Sequence, residues 1–190
     1  MPLLVVIQGA PATGKSTIAR HIREELHLPT LTKDDIKELL YDTLEQSDEV
    51  FSILEGRVAT AMLFTFAETF LKNGRDVVIE SAFYSEFARD DIRALLKKTD
   101  ARFLELFCYV DEEIRIARFE NRAHDGTRHT SHTLRSTRFG SAGEIYPKLA
   151  LGESIEIDTA TPLTDEQWRE IMTEIEQRIV KKEGKDEATS

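Results

Sequence analysis

The chain has 190 residues, with 25 Lys and Arg against 35 Asp and Glu, for a formal net charge of -10. Its 41% hydrophobic content is enough to core one compact domain, and the acid excess argues against a surface built to follow a phosphate backbone. The apolar start MPLLVVIQG is too brief for a membrane span and has no basic leader, while the lone Cys108 excludes an internal disulfide, so we expect a reducing, cytoplasmic setting and no membrane.

In chain order, LLVVIQ (3–8) reads as a buried strand, and 15–27 as a helix with Ile18, Ile22 and Leu26 on one face. PTLTKDD holds a short strand, and Thr32 with Asp35 fits a capping box that opens a helix over about 35–43. Residues 48–72 form a long apolar-striped helix stopped by Asn73-Gly74. DVVIES (76–81) is the next strand, 86–98 the next helix, RFLELFCYV (102–110) a further strand, and a helix runs from about 111 to 122. The stretch AHDGTRHTSHTLRSTRFGSAGEIYP has no clear period and reads as a loop-rich insertion. SIEID (154–158) is the last strand, and Thr164 or Asp165 caps a final helix to about 182.

Strands alternating with helices predict an α/β fold, a three-layer sandwich around a parallel five-stranded sheet. We expect a single domain over 1–185, with a lid at about 118–140 and a flexible tail at 186–190. Ligands on such sheets lie beyond the carboxyl ends of the strands. That rule gathers residues 9–16, Asp34, Glu80, Ser81, the helix after 110 and Asp158 on one rim.

The opening of the first helix carries the most specific signal. Gly9-Ala10-Pro11-Ala12-Thr13-Gly14-Lys15-Ser16, followed by Thr17, satisfies G-x-x-x-x-G-K-[ST] at every defined position. The glycines let successive backbone N–H groups turn inward around phosphate oxygens, and the helix adds the positive end of its dipole. Lys15 can reach the outer phosphates, and Ser16 offers a hydroxyl to Mg²⁺. A strand before and a helix after make this a nucleotide-binding loop rather than a chance turn.

Three further places suggest what is done with the phosphate. Asp34, in LTKDDIKELL, returns to the same rim and can deprotonate an acceptor hydroxyl or bind metal-ordered water, while Asp35 suits the helix N-terminus. Lys37 reads either as a contact to an anionic acceptor or as a solvated lysine. Glu80 ends its strand where nucleotide hydrolases often carry an acid that orders Mg²⁺, giving Ser16, Asp34 and Glu80 as the metal set; Asp76 stands at the other end of that strand. From Arg115 to Arg138 there are six arginines (115, 118, 122, 128, 135, 138) and only Glu120 and Asp125 as acids. Arg115, Arg118 and Arg122 share one helical face, and guanidinium groups closing on a triphosphate stabilise a phosphoryl group in transit.

His124, His129 and His132 lack a completing cysteine or carboxylate set and read as solvated lid residues. Phe83, Tyr84 and Phe87 read as acceptor-pocket or core side chains, Trp168 as core, and Cys108 as a buried strand residue.

GAPATGKST, TKDDIK, VVIES and RFENR, in this order, resemble the P-loop kinases of the nucleoside-monophosphate-kinase-like superfamily. The nearest likeness is to its predicted-kinase branch with an AAA-type ATP-binding domain, alongside polynucleotide 5′-hydroxyl kinases and chloramphenicol phosphotransferase-like proteins. The resemblance spans most of residues 3–160. It implies that Asp34 is the hydroxyl-activating base, that Arg118 and Arg122 are the paired lid arginines acting with Lys15, and that adenine lies near the lid helix and the loop from Asp158 onward.

Polynucleotide kinases carry an arginine where this chain has Lys37, and no basic surface outside the lid would follow a strand of nucleic acid. The expected activity is therefore Mg²⁺- and ATP-dependent transfer of the γ-phosphate to a hydroxyl of a small molecule. The alternatives are a polynucleotide 5′-hydroxyl kinase, a nucleotide-dependent switch or hydrolase, and a non-catalytic nucleotide-binding scaffold. Neither N-K-x-D nor D-x-x-G, the marks of a guanine-nucleotide switch, occurs in the expected places. Oligomeric state is not readable from the sequence.

Overall fold

All six residues of the first strand, β1 (Leu3–Gln8), are buried, as a strand covered on both faces requires. The computed structural model describes residues 1–44, 49–83, 85–124, 129–132 and 146–180. The elements that follow β1 are α1 (Lys15–Leu26), β2 (Thr30–Thr32), α2 (Lys33–Leu44), α3 (Glu49–Lys72), β3 (Val77–Glu80), α4 (Ser85–Thr99), β4 (Arg102–Tyr109), α5 (Glu112–His124), a 3₁₀ turn (Thr130–His132), β5 (Glu153–Asp158) and α6 (Asp165–Val180). The five strands form one parallel sheet in the order β2-β3-β1-β4-β5, with helices on both sides.

Period-two alternation along β1 splits the core in two. Leu3, Val5 and Ile7 pack with Ile18 and Ile22 of α1 and with Ile171 and Ile175 of α6. Leu4 and Val6 point the other way, toward Leu63, Ala67 and Leu71 of α3 and Ile92 and Leu95 of α4. By length and composition alone, α3 could cross a membrane over Val50–Lys72; here its Leu63-Ala67-Leu71 stripe covers the sheet.

Several helix ends follow from local chemistry. Thr32 Oγ1 accepts from the Asp35 N–H at 3.1 Å, so α2 begins at Lys33, two residues earlier than the sequence pattern suggested. Gly74, with φ 68°, ends α3. At the head of α6, Thr164 and Gln167 cap each other reciprocally, at 2.9 and 3.3 Å.

The chain order places β1 between β3 and β4, so the connections after β1 and β3 run to opposite faces of the sheet. Register sets Glu80 level with Ile7 on one side and with Thr32 on the other. The turn after β1, the end of β3 and the head of α2 therefore meet at one crevice, as expected where strand order reverses. Asp76 is at the far end, where Oδ1 accepts from the Leu3 N–H at 2.7 Å.

Candidate active site

The loop after β1 is shaped by contacts that only its sequence permits. Gly9 has φ 147°, and a Cβ there would run into the carbonyl oxygen of Cys108. Ala12 and Gly14 are also left-handed, at 71° and 77°; Gly14 caps α1 and lies against the Thr159 side chain. The Ala10 carbonyl accepts from Thr13 Oγ1 at 2.9 Å and from Lys15 Nζ at 2.8 Å. Lys15 is thus held back along its own loop, nearly buried, within a short swing of the N-terminus of α1.

Ser16, in the first turn of α1, donates its hydroxyl to Glu80 Oε2 at 3.4 Å. Glu80 is only 3% exposed. Burial pushes its carboxyl up to about 7; Lys15 opposes that shift and Asp34 reinforces it. Ser16, Asp34, Asp35 and Glu80 all line one cavity of about 590 Å³ with Lys15 and Thr17. These oxygens are hard donors that suit Mg²⁺. Among the described residues no three His, Cys, Asp or Glu side chains form a metal cage. A cation that keeps waters and takes phosphate oxygens needs no such cage.

The arginines of α5 separate into three environments. Arg115 is buried and paired with Glu112 through Nε at 2.9 Å and Nη2 at 2.5 Å, so the shared helical face does not put it at the cavity. Arg118 donates to the carbonyls of Thr159 at 2.7 Å and Ala160 at 3.0 Å, holding the loop after β5. Arg122 lines the cavity together with Phe119. Asp158 Oδ1 accepts from the Ala160 N–H at 2.8 Å and so shapes that same loop. Arg128, Arg135, Arg138 and Tyr84, and the side chains of Phe87 and His124, lie outside the described residues.

Two of the histidines read as solvated are half-buried and paired with carboxylates. His129 and His132 line the cavity, with Nε2 atoms 3.2 Å from Asp42 Oδ1 and 2.9 Å from Glu38 Oε1. Lys37 is neither solvated nor turned to the cavity: it is buried and donates to Ser52 Oγ at 3.0 Å and the Ser131 carbonyl at 2.7 Å, joining α2, α3 and the 3₁₀ turn. Trp168 stacks on His21 at 3.9 Å against the core. Burial pushes the Cys108 thiol up to about 12, which removes it as a nucleophile.

Sequence reading passed over Gln8, Arg20, Arg23, Lys33 and Thr159. Arg20 and Arg23 line the cavity and stand four and seven residues after Ser16, a helical spacing that was there to be used. Thr159 Oγ1 donates to the Thr13 carbonyl at 3.1 Å, and no local pattern announces it.

A parallel sheet whose first strand runs through such a loop into a helix defines a P-loop nucleotide-binding protein. Residues 4–139 match the AAA_33 family, described as an AAA domain, and the chain belongs to that family. Among solved structures, it is similar to a "putative kinase" from Chloroflexus aurantiacus, at 28% identity and TM-score 0.80, over 95% of this chain and 97% of that one. It is also similar in fold to the Mycobacterium tuberculosis APS kinase solved with AMPPNP and APS, at 18% identity and TM-score 0.63, over 92% and 98% of the two chains. A third likeness is to Chaetomium thermophilum Kti12 bound to ADP-AlF3, at 19% identity and TM-score 0.67, over 92% and 97%. No curated protein matches the chain. The fold is that of the P-loop kinases.

Proposed function

We propose that the protein is a cytoplasmic phosphotransferase that moves the γ-phosphate of ATP to a hydroxyl of a small-molecule acceptor, with Mg²⁺. The observation that carries this reading is the meeting of Asp34 with Ser16, Glu80 and Lys15 in one cavity. A hydrolase needs only to hold phosphates and order a water; a carboxylate beside them also suits the activation of an alcohol.

In this reading the inward N–H groups of the loop and the N-terminus of α1 bind the β- and γ-phosphates. Lys15 leaves the Ala10 carbonyl for the phosphate oxygens, a swing that exchanges a neutral acceptor for an anionic one. Asp34 takes the acceptor's proton as its oxygen attacks phosphorus. Arg122 meets charge that grows as the phosphoryl group is transferred. Arg118 acts on the nucleotide through Thr159 and Ala160, the loop beside which we expect the base to bind. Mg²⁺, held by Ser16 and by Glu80 or Asp34, would neutralise phosphate charge.

The experiment is transfer assayed by mass spectrometry with native protein and Asp34→Asn in parallel. Phosphorylated acceptor with native protein alone, and equal ATP affinity in both, is the expected result. ADP release without phosphorylated acceptor, identical in both proteins, would reassign the chain as a hydrolase or switch.

A further inference from the structure

A second cavity, of about 1020 Å³, opens between α3 and α4. It shares Lys33, Ser81 and Ala82 with the phosphate cavity, so the two spaces meet where β3 ends. Its walls are mainly apolar: Ile53, Ala61 and Phe64 from α3, Phe83 after β3, and Ala88 and Leu95 from α4. The Phe64 and Phe83 rings stand 6.0 Å apart. Phe83 is fixed from beneath, because Gln8 holds both its N–H and its carbonyl.

The charges around this space are mixed in sign. Lys98 is bridged to Glu68 at 2.8 Å, and Arg57 and Asp91 stand on the two facing helices. A polyanion, such as an oligonucleotide or a nucleoside phosphate, is drawn by several uncompensated cations along its path. An apolar body is drawn by the area of wall it covers.

We propose that this cavity takes the phosphoryl acceptor, and that the acceptor is a small, uncharged, largely apolar alcohol. Its alkyl or aryl body lies between α3 and α4, and its hydroxyl emerges past Ser81 toward Asp34. The inference rests on the kinase reading and specifies its substrate class. The step balances without a further reactant: the alcohol oxygen bonds to the γ-phosphorus, the bond from that phosphorus to the β,γ-bridging oxygen breaks, ADP carries off the electron pair, and the alcohol proton passes to Asp34.

Gly56 lines the cavity, and a Cβ on it would meet nothing within 4 Å. Gly56→Phe therefore fills the cavity from a helix position that accepts a side chain. Native protein, Gly56→Phe and Ile53→Glu, a charge at an exposed wall position, are assayed with Mg²⁺-ATP and separate pools of arylalkyl alcohols, sugars, nucleosides and 5′-hydroxyl oligonucleotides. The expected result is phosphorylated arylalkyl alcohols with native protein, and a KM for them raised about tenfold or more in both variants at unchanged nucleotide affinity. Phosphorylation confined to sugars, nucleosides or oligonucleotides, or an acceptor KM indifferent to both variants, overturns the acceptor class and leaves the kinase standing. ATP consumed with no pool phosphorylated overturns both.

Discussion

The side-chain amide of Gln8 and the peptide of Phe83 exchange two hydrogen bonds. Gln8 Oε1 accepts from the Phe83 N–H at 3.0 Å, and Gln8 Nε2 donates to the Phe83 carbonyl at 3.3 Å and to the Pro147 carbonyl at 3.0 Å. Gln8 is fully buried and immediately precedes the phosphate loop. It therefore fixes the segment that lines both cavities against the strand that presents the nucleotide. Gln8→Leu leaves these backbone groups without partners in a dry environment and is expected to cost about 2–4 kcal/mol. Urea unfolding measures the loss; an unchanged midpoint would mean that the tie carries no stability.

Gly9 and Gly14 are both left-handed but differ in surroundings. Gly9→Ala forces a Cβ into the Cys108 carbonyl, whereas at Gly14 the nearest atoms, those of Thr159, are 3.4 Å away. Gly14→Ala carries mainly the backbone strain of about 1–2 kcal/mol, and Gly9→Ala more than that with loss of nucleotide binding. Thermal unfolding with and without ATP ranks the two; equal Tm values would contradict the ordering.

Lys15→Ala removes a buried ammonium that bonds the Ala10 carbonyl of its own loop, a neutral acceptor it can exchange for phosphate. Phosphoryl transfer should fall by about a hundredfold or more, with folding preserved. Product formation and circular dichroism on one preparation test this, and normal turnover would sink the assignment of the loop.

Arg118 and Arg122 should separate kinetically. Arg122→Ala, at the cavity, is expected to lower kcat by about 10²–10³ with a smaller change in ATP affinity. Arg118→Ala releases the Thr159 and Ala160 carbonyls and should instead weaken nucleotide binding. Matched losses of kcat and affinity in both variants would remove the distinction.

Glu80 gives the metal-free protein a pH signature. Its carboxyl stands near 4.5 when the chain is unfolded and is pushed up to about 7 when folded, so between those values the folded state holds the proton more tightly. Its contribution is fully present below pH 4.5 and is lost as pH rises through about 7, by at most about 3 kcal/mol. Denaturation across that window should show Glu80→Gln with a flatter slope. A parallel slope in the two proteins would locate the titration elsewhere.

Strand and helix order was legible because β1 and β3 are built on continuous apolar runs, β4 is apolar apart from Arg102 and Glu105, and the helices between them keep their period. The phosphate loop was legible because its spacing is itself the mechanism. Side-chain destinations were less so. Arg115, Arg118 and Arg122 share a face in sequence, yet Glu112 at i-3 captures the first and a loop 41 residues on captures the second. Thr159 meets Thr13 across 146 residues, and Gln8 meets Phe83 across 75; only the closed sheet brings such pairs together. The same holds for Lys37, whose partners Ser52 and Ser131 come from other elements.

Thr159 grips the carbonyl of Thr13 while Arg118 grips the carbonyl of Thr159. The phosphate loop and the helix carrying Arg122 are thereby the two ends of a single lever whose fulcrum is the turn after β5. A displacement of α5 is expected to reach Thr13, and with it the phosphate loop, through these two bonds.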